Sequence, residues 1–96
     1  MIPLSACKNR VLYQIRSRNL DFGVFCQETG GFIGLREKCN YFYTFEEYHR
    51  DRGGRLGSVT PVKELPEVLP PEILMDLSNK SLELWLRTME KKYRGR

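Results

Sequence analysis

The fold is decided by residues 21–38, which read DFGVFCQETGGFIGLREK. Apolar and small side chains alternate before and after the central QETGG segment at 27–31, as expected for two β-strands. The two glycines supply the positive φ angles that a short connection between antiparallel strands needs. The stretch therefore predicts a β-hairpin with strands at 21–26 and 32–38. Gly34, inside the second strand, indicates a bulge or a close approach to the backbone.

Similar patterns extend the sheet on both sides of this hairpin. Residues 11–15 alternate between apolar and polar, apart from Leu12, and predict a half-buried strand. The density of aromatic and β-branched residues at 41–50 predicts a long strand. Residues 56–62 predict a last strand. We therefore expect an antiparallel sheet of about five strands between residues 10 and 62.

A proline-rich linker at 63–71 and an amphipathic helix at about 72–94 follow the predicted sheet. Apolar side chains recur at helical spacing and form an apolar stripe, and an interruption of the helix near residues 76–80 stays open. Two Glu and Arg pairs, at 83 with 87 and at 90 with 94, are spaced as i,i+4 ion pairs. The stripe either packs on the sheet or forms the seam of a homodimer, and the candidate oligomer-interface residues are Leu82, Trp85, Leu86 and Met89.

The length and composition fit one globular domain. A chain of 96 residues has room for a single core, and 41% hydrophobic with 29% charged residues is typical of a globular protein. We predict one α+β domain, 1–96, in which the sheet precedes the helix.

No signal-peptide pattern and no run of about 18 apolar residues is present, so the expected location is the cytoplasm. Three cysteines without a CxxC pair indicate reduced thiols.

Catalytic chemistry finds little support in the sequence. His49 is the one histidine, so a catalytic triad, a Cys–His pair or a histidine metal site would have to use it. No GxSxG, HExxH, P-loop or GxGxxG motif accompanies it. Glu46 and Glu47 are adjacent on a predicted strand and point to opposite faces, so they do not act together. We predict a protein without enzymatic activity, cofactor or metal.

Basic residues at strands and strand ends indicate an anionic ligand. The net charge is +4, and arginines alternate with tyrosines along the chain, so guanidinium forks for phosphate lie beside rings that stack on a base. A sheet with ordinary charged outer positions would show the same pattern, so the residues alone leave both interpretations open. The candidate ligand-binding residues are Arg16, Arg18, Asn19, Arg36, Lys38, Tyr43, Tyr48, His49 and Arg50.

Four segments of the chain resemble a small family of phage proteins. They are RSRNLDFGVF at 16–25, GFIGLREK at 31–38, FEEYHRD at 45–51 and LGSVTP at 56–61. These segments are similar to those of the type-one Thoeris anti-defence proteins. The resemblance implies a non-catalytic sponge for cyclic ADP-ribose-type and cyclic oligonucleotide immune signals in the host cytoplasm. It also implies a homodimer or larger homo-oligomer of sheet-plus-helix subunits, with ligand held between subunits.

Two functions from other classes stay open. The first is a protein-directed inhibitor or adaptor that uses an exposed sheet edge or the face around Trp85. The second is a small nucleic-acid-binding barrel, whose affinity should fall steeply with added salt. The partner that we expect is a phosphate-bearing small nucleotide, and not a membrane or a long nucleic acid.

Overall fold

The computed structural model describes residues 2–16, 21–28, 30–38, 41–48, 60–74 and 80–94, and for 35–38, 41–48 and 74 it describes the backbone. Within these residues a short 3-10 turn, Leu4–Ala6, precedes five strands and two helices. The strands are β1 Val11–Arg16, β2 Phe22–Cys26, β3 Gly31–Lys38, β4 Tyr41–Tyr48 and β5 Thr60–Val68. The helices are α1 Pro71–Leu74 and α2 Lys80–Arg94.

The described strands form one sheet in the order β4-β3-β2-β1-β5, and every pairing between neighbours is antiparallel. The first four strands are therefore neighbours in both sequence and space. The fifth strand returns to pair with the other side of β1. The predicted α+β class, an antiparallel sheet followed by a helix, is confirmed.

The hairpin between β2 and β3 forms at the predicted place. Cys26 pairs with Gly31, and Gly30 between them has a φ of 72°. The Gly30 N–H donates to the Cys26 carbonyl over 2.9 Å. A residue with a side chain would be strained at this positive φ, so the turn requires the glycine. Inside the ladder Gly34 lies opposite Gly23, where an added Cβ would come within 3.2 Å of the Phe32 Cβ.

The last strand differs from the prediction. It runs over Thr60–Val68, so most of the predicted linker at 63–71 is a strand paired with β1, and residues 56–59 lie outside the described part. Pro61 and Pro66 are tolerated because β5 is an edge strand, where a proline need not donate to a neighbour. The pairing of β5 with β1 has two register shifts, which absorb the irregular backbone.

Both faces of β1 and β2 are covered. The helix face holds a core that α2 closes, formed by Leu12, Phe22, Val24, Leu65, Leu69, Leu82 and Leu86. The opposite side, here called the N-terminal face, holds Val11, Tyr13, Ile15, Phe25 and Phe32, with Ile2, Leu4 and Cys7 packed against them. Leu12 interrupts the alternation in the sequence because it faces the helix while its neighbours face the other core.

Helix α2 carries out the core packing that its stripe predicts. Leu82 and Leu86 are buried, while Trp85 and Met89 are half-buried against the same cluster. Since Leu82 and Leu86 belong to the protomer's own core, a second subunit does not meet them while the helix is packed. The helix prediction is confirmed at 80–94, and residues 75–79 lie outside the described part.

Surface ion pairs follow the predicted spacing along α2. Glu83 accepts a hydrogen bond from Arg87 over 2.9 Å, and Glu90 accepts one from Arg94 over 3.0 Å. Both predicted i,i+4 pairs are confirmed. Among the helices of the described residues, none is long and apolar enough to cross a lipid bilayer.

Candidate functional site

The predicted ligand-binding residues fall into three groups. Arg16 is described in full and is exposed at the end of β1. The backbone positions of four others are described in β3 and β4, and they are Arg36, Lys38, Tyr43 and Tyr48. The remaining four, Arg18, Asn19, His49 and Arg50, lie outside the described residues.

The sheet register brings the cationic positions to one end. Gln14 pairs with Phe22, and Gly23 pairs with Gly34, so the end of β1 and the end of β3 lie at the same end of the sheet. Two interstrand spacings of about 4.8 Å separate these strands, so Arg16 lies on the order of 10 Å from β3, measured across the sheet. We call Arg16, Arg36 and Lys38, with Tyr43 beside them, the basic end.

Tyr43 lies at an irregularity in the pairing of β3 with β4. Arg36 pairs with Thr44 and Glu37 pairs with Phe42, so Tyr43 is the extra residue of a β-bulge. Bulges re-aim one side chain and are frequent beside functional sites. The sequence predicts Tyr43 as a ligand-binding residue because of its aromatic ring. The bulge, an independent structural feature, sets this position apart from the regular pairing of β3 with β4.

Tyr48 does not join the basic end. It pairs with Phe32, near the start of β3, whereas Lys38 at the end of β3 pairs with Tyr41. Seven residues of strand at about 3.3 Å each separate the two ends of β4, roughly 23 Å. Within one protomer the described members of the predicted set therefore divide between the two ends of the sheet.

One acid beside the basic end, Asp21, forms an ion pair with the end of α2. Asp21, which precedes β2, accepts a hydrogen bond from the Arg94 guanidinium at the end of α2. The same guanidinium lies 5.9 Å from the centre of the Phe22 ring. Arg94 thus fixes the last turn of the helix over the start of β2. The sequence indicated the Arg94 pair with Glu90, and nothing in it indicated the contact with Asp21.

A second tie joins the helix to β5. Glu67 accepts hydrogen bonds from the Lys92 Nζ, over 2.6 Å, and from the Tyr93 hydroxyl. These bonds hold the pKa of the Glu67 carboxyl below its ordinary value and raise the pKa values of Lys92 and Tyr93. The sequence missed this contact because its members are separated by a linker and a helix. Lys92 and Arg94, two of the basic residues near the end of the chain, therefore both form contacts that hold α2 on the sheet.

The described cysteines are thiols, and the described acids form no metal site. Cys7 and Cys26 are thiols in the structure, and Cys39 lies outside the described residues. Burial raises the pKa of the Cys7 thiol, so the neutral form is favoured at physiological pH. Within the described residues, no three His, Cys, Asp or Glu side chains are grouped to hold a metal ion.

A small cavity lies at the other end of the sheet from the basic end. It has a volume of about 150 Å³ and is lined by Asn9, Arg10, Val24, Phe25, Cys26, Glu28, Ile33 and Leu69. Pockets for drug-sized ligands usually enclose about 300 Å³ or more, so this cavity is too small for a nucleotide. Nothing in the sequence indicates this cavity, because its lining comes from four separate segments.

In the described part of the chain, the fold is an α+β sheet and helix with cationic positions at one end of the sheet and a small cavity at the other. Comparisons of the chain with protein-family models, with curated proteins and with solved structures give no match. The resemblance to the Thoeris anti-defence proteins therefore stays a prediction, and the function is argued from the residues.

Proposed function

We propose that this chain is a non-catalytic binding protein that holds a phosphate-bearing nucleotide ligand at the basic end of its sheet. The observation that carries the proposal is the register, which places Arg16 on β1 and Arg36 and Lys38 on β3 at one end of the sheet. Arg36 and Lys38 lie two residues apart on β3, and two such cations provide several hydrogen-bond donors for one anionic group. Their mutual repulsion is relieved when the anion binds.

The bulge at Tyr43 adds a second element of recognition. A phosphate contact alone does not distinguish a nucleotide from inorganic phosphate, whereas a tyrosine ring offers a face on which a base stacks. Recognition of this kind needs neither a nucleophile nor a general base. The basic end therefore suits sequestration of a ligand that is released unchanged.

The finer identity of the ligand rests on the family resemblance. Cyclic ADP-ribose-type molecules and cyclic oligonucleotides each combine phosphates with planar bases, which fits the pairing of cations and tyrosine. In this proposal the protein is a phage anti-defence sponge. Arg16 is exposed in the protomer, and a ligand this large needs a pocket of about 300 Å³ or more. A second copy of the chain therefore completes the site in a homo-oligomer.

The test is isothermal titration with cyclic ADP-ribose isomers and with cyclic di- and trinucleotides. We expect Arg36→Gln and Lys38→Gln each to weaken binding about tenfold or more, because a hydrogen bond to a charged group contributes about 1.5–3 kcal/mol. Lys80→Gln is the matched control, since it removes the same charge at the start of α2. Arg94, at the other end of α2, contacts Asp21 beside the basic end. The α2 helix spans 15 residues, so at about 1.5 Å per residue Lys80 lies roughly 20 Å from Arg94.

Recovery of the ligand distinguishes a sponge from an enzyme. Mass spectrometry after heat release should return the titrated molecule with its mass unchanged. The absence of heat with every ligand, or equal affinity in all three variants, would contradict the proposal. A changed ligand mass would show turnover instead of sequestration.

The protein-directed alternative has weaker support. At the β5 edge Pro61 and Pro66 lack the N–H groups that strand addition uses, and the Pro61 carbonyl already accepts a hydrogen bond from the Ile2 N–H over 2.8 Å. Trp85 is half-buried against the core and offers only part of its ring. For the nucleic-acid alternative, titration against a short duplex at two salt concentrations decides, since phosphate contacts give a steep salt dependence.

A further inference from the structure

The lining of the small cavity at the opposite end of the sheet combines charged and apolar residues. Arg10 precedes β1, Glu28 lies in the β2–β3 turn, and the hydrophobic side chains of Val24, Ile33 and Leu69 contribute to the lining. The Asn9 side chain accepts a hydrogen bond from the Gln27 N–H over 2.8 Å and so ties the turn to the start of β1. The cavity is thus an apolar recess with charged groups at its mouth.

The backbone of Arg10 is held in an unusual conformation. Its φ is 66°, in the left-handed region that side-chain-bearing residues rarely adopt. The Arg10 N–H donates to the Phe25 carbonyl over 2.7 Å, and the Arg10 carbonyl accepts from the Leu69 N–H over 2.8 Å. Glycine would satisfy both hydrogen bonds without the steric cost. The fold therefore does not need an arginine here, although a guanidinium is present at the cavity mouth.

The charges at the mouth have opposite signs. The Glu28 carboxylate accepts a hydrogen bond from the Cys26 thiol over 3.4 Å. The Arg10 charge contributes to holding the pKa of Glu28 below its ordinary value, after the hydrogen bonds from the Glu28 N–H and Cys26. A residue with an ionised carboxylate, Glu28, and a residue with a guanidinium, Arg10, therefore both line this cavity. This arrangement is complementary to a molecule that carries both an ammonium and a carboxylate.

We propose that this cavity binds a free α-amino acid with an apolar side chain, of which leucine is the representative. Its side chain would enter the recess formed by Val24, Ile33 and Leu69. The Arg10 guanidinium would receive its carboxylate in a forked hydrogen bond, and Glu28 would accept from its ammonium. A void of about 150 Å³ holds roughly six carbon atoms, as benzene does in a cavity of that size.

This site is separate from the proposed nucleotide site. Arg10 and Arg16 lie at opposite ends of β1, so six residues of strand at about 3.3 Å each, roughly 20 Å, separate them. Either site can exist without the other, and the two experiments use different ligands and variants. A lack of nucleotide binding would leave the amino-acid site standing, and the reverse also holds.

The experiment is an NMR titration of the methyl-labelled full chain with three small molecules. Leucine carries both charges, 4-methylpentanoate lacks the ammonium and 3-methylbutylamine lacks the carboxylate. We expect leucine to shift the methyl signals of Val24, Ile33 and Leu69 and to saturate at about 10 mM, as a Kd near 1 mM requires. 4-Methylpentanoate should bind less tightly, and 3-methylbutylamine about tenfold less tightly than leucine.

Two variants separate binding from folding. Arg10→Gly removes the guanidinium and relieves the positive φ, so its thermal midpoint should equal or exceed that of the wild type while leucine binding falls about tenfold. Glu28→Gln keeps the side-chain shape, and it should weaken leucine without weakening 4-methylpentanoate. Lys80→Gln again serves as the control and should bind leucine as the wild type does.

The opposite results would overturn the site. One such result is a titration with leucine that does not saturate at about 10 mM, where a Kd near 1 mM gives saturation. The other is a set of shifts confined to methyl groups outside the cavity. Equal binding by 3-methylbutylamine and leucine would exclude the role of Arg10, as would an unchanged affinity in Arg10→Gly. If Arg10→Gly fails to fold, the contrast of the two ligands in Glu28→Gln still decides.

Discussion

The two faces of the sheet are closed by different means. On the helix face, α2 contributes the aliphatic side chains Leu82 and Leu86 and is tied down at its last turn by Glu67 and Asp21. On the N-terminal face, aromatic rings fill the space under a short segment that carries Ile2, Leu4 and Cys7. One face is covered by a regular element with ion pairs, and the other by rings that support an irregular segment.

This difference explains where a ligand can bind. Because both faces over β1 and β2 are occupied by the protein's own side chains, the ends of the sheet offer the accessible polar groups in that region. The basic end and the cavity beside Arg10 are at those two ends. The stability of each face can be tested separately.

Truncation in the helix-face core should give the largest loss. Leu86 is 2% exposed, and Leu86→Ala should lower the free energy of unfolding by about 2–5 kcal/mol, through lost burial and the cavity left behind. Leu84→Ala is the matched control on the same helix, where the side chain is 68% exposed, and it should change stability by about 0.5 kcal/mol or less. Urea denaturation measures both. Equal effects would mean that α2 is not packed through Leu86.

On the N-terminal face, the decisive polar contact belongs to Tyr13. Its side chain is fully buried, burial raises the pKa of its hydroxyl, and the hydroxyl accepts a hydrogen bond from the Lys8 N–H over 2.8 Å. Tyr13→Phe leaves that N–H without its partner and should cost about 1–2 kcal/mol. Hydrogen exchange should show faster exchange of the Lys8 amide, while amides in α2 keep their protection. An unchanged Lys8 amide would contradict the contact.

Much of the fold is predictable because local chemistry determines it. The turn at Gly30 requires a positive φ, and the helical spacing of Leu82 and Leu86 allows one buried face, so both elements are where the sequence places them. The end of the sheet is not predictable in the same way. Pro66 signals a break in isolation, and only the edge position of β5 makes it compatible with a strand.

The candidate sites are less predictable than the fold. Residue types predict a set of cations and tyrosines, but which of them are neighbours depends on the register, which separates Tyr48 from Lys38. The bulge at Tyr43 and the conformation of Arg10 leave no signal in the sequence, because the bulge depends on the register of β3 with β4 and Arg10 is held by hydrogen bonds to Phe25 and Leu69. Sequence therefore indicates the chemistry of a site more reliably than its geometry.

The hydrogen bonds from Lys92 and Tyr93 to Glu67, here called the clamp, join α2 to β5. The clamp should contribute less to the free energy of unfolding than the Tyr13 hydrogen bond, and its contribution should depend on pH. The folded pKa of Glu67 is below the ordinary 4.5, so its contribution is present above about pH 4.5 and is lost as the pH falls through the lower, folded value. Lys92 and Tyr93 have raised pKa values, so their contribution is lost as the pH rises beyond about 10. The thermal midpoints of Glu67→Gln and wild type should differ at pH 7 and converge at pH 3. A constant difference would contradict the clamp.

The smallest effect is expected on the outer surface of α2. Glu83 and Arg87 form an i,i+4 pair at 2.9 Å, with side chains 34% and 40% exposed. Water and ions screen such a pair, so Glu83→Gln should cost about 0.3–0.5 kcal/mol and almost nothing in 1 M salt. Urea denaturation at low and high salt measures it. Because a surface pair stabilises only the helix, its loss should leave the Lys8 amide on the other face unaffected, and an effect as large as that of Leu86→Ala would mean that Glu83 holds α2 on the sheet.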